Sequence, residues 1–167
     1  AQASLPRIQA MAPDHVAVVE SATPTLHWWL SSTSDVPVEV TLVARESGDT
    51  LVEQRLAPPV RRGLHTLALS TENVHLPQSA IVEWYVALVV DEERREFDAV
   101  ANAALRFVPP PSPFEAEAGQ EAHLRASSGY WVDAFALLTR WIEAEPGAEA
   151  LRAHRAALAD QAGLEAP

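Results

Sequence analysis

Val36-Pro37-Val38-Glu39-Val40-Thr41-Leu42-Val43-Ala44-Arg45 is the stretch that decides the fold. In an extended chain Val38, Val40, Leu42 and Ala44 fall on one side and Glu39, Thr41, Val43 and Arg45 on the other, the two-residue period of a half-buried strand. Glu46-Ser47-Gly48-Asp49 follows as a hairpin turn, so residues 50–56 are expected to pair back antiparallel. Ala57-Pro58-Pro59 ends that partner, because proline has no amide hydrogen for a ladder.

The same reading extends outward in both directions. Toward the amino terminus, His15-Val16-Ala17-Val18-Val19 and Thr25-Leu26-His27-Trp28-Trp29-Leu30 are apolar runs, closed by Ser21, Pro24 and a polar loop over 31–35. Toward the carboxyl terminus, residues 63–70 alternate, residues 80–91 form the longest run, and residues 97–108 return after the charged turn Asp91-Glu92-Glu93-Arg94-Arg95. Residues 81–90 are apolar on both faces and are expected at the centre of a sheet. About seven short strands over residues 14–108 predict an immunoglobulin- or fibronectin-like antiparallel β-sandwich, preceded by an N-terminal extension over 1–13.

A proline-rich linker over 109–113, beginning Pro109-Pro110-Pro111, stiffens the exit from the sandwich. A helical segment is expected over 114–167, so the chain reads as mainly β with an α tail. Ser112-Pro113-Phe114-Glu115 predicts a helix start, with serine as N-cap and proline at the first helical position. That helix should run to about Arg125, where Ser127-Ser128-Gly129 interrupts it. Trp131, Phe135, Leu138, Trp141 and Ile142 then share one helical face. Glu145-Pro146-Gly147 breaks this helix, Leu151, His154 and Leu158 mark the facing stripe of the next, and Gly163 caps it. The pair looks like a single tetratricopeptide-type helical hairpin, which must pack on the sandwich or on another molecule to bury its apolar face.

Composition narrows the function classes. The net charge is −11, and all 12 basic residues are arginines scattered along the chain. Nucleic acid is not an expected partner, since tracking a phosphate backbone requires clustered positive charge. No apolar run approaches the ~20 residues of a membrane-spanning helix. Cysteine is absent, which removes disulfides, thiolate metal sites and cysteine nucleophiles together. The opening Ala1-Gln2-Ala3 resembles what a leader peptidase leaves at a small-residue site, so an exported protein, periplasmic or extracellular with its signal peptide removed, is expected.

Pro24-Thr25-Leu26-His27-Trp28-Trp29, Glu83-Trp84-Tyr85-Val86 and Gly129-Tyr130-Trp131-Val132-Asp133-Ala134, followed by Leu138, Pro146, Leu158 and Gly163-Leu164, carry a family resemblance. Together they resemble the bacterial domain of unknown function 928 family, over residues from about Asp14 to Leu164. The resemblance implies a secreted protein with a β-rich front and a helical back, and it implies no activity and no catalytic residues. Arg125-Ala126-Ser127-Ser128 departs from the family pattern, which has a tyrosine-alanine pair there.

Trp28-Trp29 puts one indole on each face of its strand, one for the core and one either exposed or covered by the tail. Packing against the tail is the favoured account, and Trp84-Tyr85 poses the same choice. Histidines 15, 27, 65, 75, 123 and 154 never fall at local metal-ligand spacings, so no metal site is expected and they are read as surface or capping residues. Asp91, Glu92, Glu93 and Asp98 offer carboxylates to calcium, but Arg94 and Arg95 in the same turn favour a solvated acidic hairpin. Asp133 is expected to cap or orient its helix. No Gly-x-Ser-x-Gly elbow or phosphate-cradling glycine loop is present, so neither an enzyme nor a cofactor is expected.

The leading expectation is a non-enzymatic protein-interaction or assembly subunit, working through a protein partner or self-association. Its candidate interaction residues are Leu5, Ile8, Trp28, Trp29, Trp84, Trp131 and Trp141. Residues 4–8 are expected to add to a neighbouring subunit's sheet edge. The alternative is a carbohydrate- or small-ligand-binding module, with glycan as ligand, that uses exposed aromatics. A hydrolase would require a cleft with convergent carboxylates.

Overall fold

The computed structural model describes residues 4–165, so the Ala1-Gln2-Ala3 start on which export was read lies outside the described residues. Eight strands precede three helices: β1 Ile8–Ala10, β2 Ala17–Val19, β3 Thr25–Leu30, β4 Val38–Ala44, β5 Thr50–Leu56, β6 Gly63–Ala68, β7 Ile81–Leu88, β8 Ala99–Phe107, α1 Glu121–Ser127, α2 Trp131–Ala144 and α3 Glu149–Gln161. A small sheet has the order β1-β3-β6 and a large one the order β2-β8-β7-β4-β5. The alternation of β4 is realised, with Val38, Val40, Leu42 and Ala44 buried and the residues between them half-buried. β5 pairs back antiparallel on β4, and β7 takes the middle of the large sheet, its inner face fully buried and its outer face carrying the half-buried Glu83 and Tyr85.

One core lies between the two sheets. Leu26, Trp28 and Leu30 of β3 meet Val38, Val40 and Leu42 of β4 and Val82, Trp84, Val86 and Leu88 of β7. Fully burying an aliphatic or aromatic side chain contributes roughly 1.5–3 kcal/mol, so this cluster dominates the stability of the two-sheet body.

Two expectations for the amino-terminal region are corrected. Residues 8–10 are not part of an extension; they form β1, which pairs antiparallel with β3 of the same chain. Ile8 thus packs on the chain's own core, and the edge it was expected to seek on a neighbour is supplied internally. The sheets are also not wholly antiparallel, since β2 pairs parallel with β8. The chain crosses between sheets after β1, and this crossing brings β2 alongside β8 in the same direction.

The helix expected from Ser112 does not form, and α1 begins at Glu121. Residues 115–118 carry no large apolar side chain that a helical turn could bury, and a short helix without such a face does not offset its nucleation cost. Phe114 instead lies edge-on to Tyr130 at 5.2 Å, with the Arg125 guanidinium 5.0 Å above its ring. Gly129, at φ +90°, allows the reversal between α1 and α2, and the Tyr130 N–H bonds back to the Arg125 carbonyl at 2.8 Å.

The tail lies on the outer face of the small sheet. Met11, Ala122, Ala134, Phe135, Leu138, Leu158 and Ala159 form a second core, against which Trp29 and Leu64 pack from the sheet. The helical hairpin therefore buries its apolar face within its own chain.

Candidate functional site

Because neighbouring residues alternate across a strand, the tryptophans of the two Trp-containing motifs part company. Trp28 and Trp84 are each 1% exposed inside the sheet–sheet core, so neither offers a ring face to a ligand. Trp29 packs under the helices. Trp131 bridges the two cores, stacked on Phe135 at 5.2 Å, with its Nε1–H donating to the Leu158 carbonyl at 3.1 Å. Trp141 packs on the second core from its edge. Leu5 is 43% exposed ahead of β1. The structure does not bring these seven residues together as one surface.

Three polar groups of the tail, Asp133, Arg125 and Tyr130, lock it to the sheets. Asp133 does not cap α2, whose N-cap, Tyr130, makes no side-chain cap bond. Its Oδ2 accepts the backbone N–H of Glu20, just past β2, at 2.9 Å. Glu20 in turn accepts Arg125 Nε–H at 2.9 Å, and the Tyr130 hydroxyl donates to the Val108 carbonyl at 2.8 Å. Burial, reinforced by the nearby Glu20 carboxylate, pushes the Asp133 carboxyl up to about 7. His27 is likewise not a surface residue. It is 3% exposed and meets Phe135 edge-on at 5.4 Å. Burial, with a smaller contribution from Arg155, pushes it down to about 4.

The outer face of the large sheet has a different character. The helices pack principally on β2 and β3, and the opposite side of β4, β7 and β8 lies open. Register aligns Glu39 with Ala87, Thr41 with Tyr85 and Val43 with Glu83, then Ala87 with Val100 and Tyr85 with Asn102. Val100 and Phe97 are each 53% exposed, Phe97 closing a short 3₁₀ turn over Arg95–Phe97.

Ion pairs rim this face. Glu39 accepts from Arg55 and from Arg95, each at 2.7 Å. Arg55 also pairs with Glu92, and Arg95 Nε reaches Asp98 at 2.8 Å. The hydrogen bonds from Arg95, followed by its charge and that of Arg55, hold the Glu39 carboxyl below its ordinary range. Farther along, Glu83 pairs with Arg45 at 2.8 Å and accepts the Tyr85 hydroxyl at 2.8 Å. Of the carboxylates that the sequence offered to calcium, Glu92 is engaged by Arg55 and Asp98 by Arg95, and Asp91 Oδ1 accepts the Glu93 N–H at 2.9 Å. The Asp98 side chain is only 6% exposed, and its Oδ1 has no protein partner.

Among the described residues no group of three or more His, Asp or Glu is gathered at metal-ligand distances. Sequence reasoning missed Glu20, Arg125 and Asp133 as a unit because they come from three separate segments. The one available signal was a carboxylate set among Trp131, Val132, Ala134 and Phe135, on a helix stretch otherwise apolar.

A family model described as Domain of Unknown Function (DUF928) matches residues 1–167. Among curated proteins none matches the chain. Of solved structures, CopC from Methylosinus trichosporium OB3b is similar over 65% of this chain and 100% of its own, with 11% identity and a TM-score of 0.38. An engineered protein is similar over 62% of this chain and 20% of its own, at 15% identity and a TM-score of 0.36. A β-glucuronidase from Ruminococcus gnavus is similar over 60% of this chain and 16% of its own, at 14% identity and a TM-score of 0.28. The chain thus spans a fifth or less of the latter two proteins.

Proposed function

Since the chain belongs to the DUF928 family over its whole length, we propose that it is a non-enzymatic interaction module of the cell exterior or periplasm. In this reading an immunoglobulin-like sandwich presents the open face of its large sheet to a protein partner, while a tetratricopeptide-type hairpin seals the other side. The observation that carries it is the exposure of Phe97 and Val100, each 53%, at the end of the large sheet where Glu39, Arg55, Glu92 and Arg95 form ion pairs. Apolar side chains at the centre of a patch with a charged rim are the usual anatomy of a protein interface. The partner carries an apolar patch flanked by basic donors. With a net charge of −11, two copies of this chain repel, whereas a basic surface is steered toward it.

The test is the mass of the species isolated from its native compartment, measured by light scattering after size exclusion. A complex heavier than the 18.1 kDa chain that Val100→Asp or Phe97→Asp reduces to that mass is the expected result. A native species at the chain mass, or a complex indifferent to both changes, refutes the reading. A small-ligand reading retains one supporting observation: the rigidly held Trp131 ring lines shallow pockets on both sides, with His123 and His154 in one and Asp14 and His15 in the other. Glycan-induced quenching of tryptophan fluorescence that is lost in Trp131→Phe distinguishes it.

A further inference from the structure

Within the tail, α1 and α3 each pack on α2. Between them lies a pocket of about 260 Å³ lined by His123, Ser127, Trp131, His154 and Gln161 among others. The two imidazoles meet across it with ring centroids 6.4 Å apart and planes inclined at 47°. Among the described residues the protein hydrogen bonds and ion pairs of histidine rings belong to His65 and His15, so both rings in the pocket keep their nitrogens free of protein partners. Sequence spacing is blind to such a pair, because its members come from different helices.

We propose that His123 and His154 form a site for a divalent cation that accepts trans imidazoles in a square-planar or tetragonal arrangement, with solvent completing the coordination. The separation is the one this geometry requires, with one nitrogen of each ring turned toward the other. A metal–nitrogen bond of about 2.0–2.1 Å, with the ring centre roughly 1.1 Å behind the nitrogen, places opposed centroids about 6.4 Å apart. A tetrahedral ion would draw the rings about 1 Å closer. Nitrogen and oxygen donors in tetragonal array suit Cu²⁺ and Ni²⁺, and Cu²⁺ stands at the top of the affinity order. Imidazole ligates in its neutral form. The net charge of −11 attracts cations to the molecule as a whole. A bound ion would tie α1 to α3 and so hold the two ends of the tail together.

The experiment uses the full chain, stripped with chelator and titrated with CuCl₂ alone. Binding is followed by the visible d–d band, by electron paramagnetic resonance and by the shift in melting temperature. Expected is one equivalent bound, with an axial spectrum showing coupling to two nitrogens and a raised melting temperature. His123→Gln and His154→Gln should each weaken binding at least tenfold, with far-ultraviolet circular dichroism unchanged. His75→Gln, at an exposed loop position away from the pocket, should leave binding as it was. Zn²⁺ should bind more weakly than Cu²⁺. Absence of saturable binding overturns the proposal, as does binding that survives both pocket variants or falls equally in His75→Gln.

Discussion

Replacing Asp133 with asparagine should stabilise the protein at pH 8 and leave it unchanged at pH 4. The carboxyl ionises at 3.8 in its reference state and at about 7 in the folded chain, so the folded state holds the proton more tightly. Its contribution to stability is complete below about pH 4, declines as the unfolded chain ionises, and is gone once the folded carboxyl ionises near 7. A shift of roughly three units corresponds to about 4 kcal/mol at most. Asp133 is only partly buried, and solvent screening reduces the expected gain to about 1–3 kcal/mol. Asparagine keeps an oxygen for the Glu20 N–H and places no charge in the site. The wild-type profile alone hides this effect. His27, lowered from 6.5 to about 4, makes the unfolded chain bind more protons between those values, so its contribution rises with pH while that of Asp133 falls. The informative quantity is the difference between variant and wild type, from urea unfolding followed by tryptophan fluorescence at unit steps from pH 4 to 8. Parallel stability curves for the two proteins would refute the assignment of Asp133 as a half-buried, proton-holding latch.

Other outcomes follow from the same contacts. Trp84→Ala, at a fully buried core position, should cost about 3–5 kcal/mol in urea unfolding. Trp29→Ala should cost less, about 2–3 kcal/mol, and in hydrogen exchange should raise the opening of α2 and α3 far more than that of β4 and β7. Glu39→Gln, which weakens the rim of ion pairs, should change stability by less than about 1 kcal/mol, with the difference shrinking in 1 M NaCl. Val100→Asp should leave the melting temperature of the isolated chain within about 0.5 kcal/mol equivalent of wild type; a larger loss would show that Val100 is structural.

The sheets were legible where one residue type repeated with one period. The alternation of residues 38–44 announced a half-buried strand and the apolar run over 81–90 a central one, and β4 and β7 stand there, β7 ending at Leu88. Short segments were less legible. Ile8–Ala10 is three residues long, too short to show a period, and its pairing depends on β3 offering an edge. The helix start at Ser112 had the right local signals, but nothing along residues 115–118 to bury against. The site was less legible still. Glu20, Arg125 and Asp133 are each unremarkable in sequence and acquire a shared role only when α1 and α2 settle on the end of β2. His123 and His154 meet for the same reason. Open and covered sheet faces also look alike in a one-dimensional pattern, since Trp29 and Val100 both sit on the outward side of a strand.

The parallel pairing of β2 with β8 also bears on how the molecule assembles itself. Ala17 finds its partner in Leu105, at the far end of the two-sheet body, whereas β4 and β5 meet across one tight hairpin. Contacts so distant along the chain close slowly, after local ones have reduced the search. Glu20, which anchors the tail through Asp133 and Arg125, directly follows β2, so the helices have no finished seat until β8 is in place. Docking of the tail should therefore follow the pairing of β2 with β8 in the order of folding.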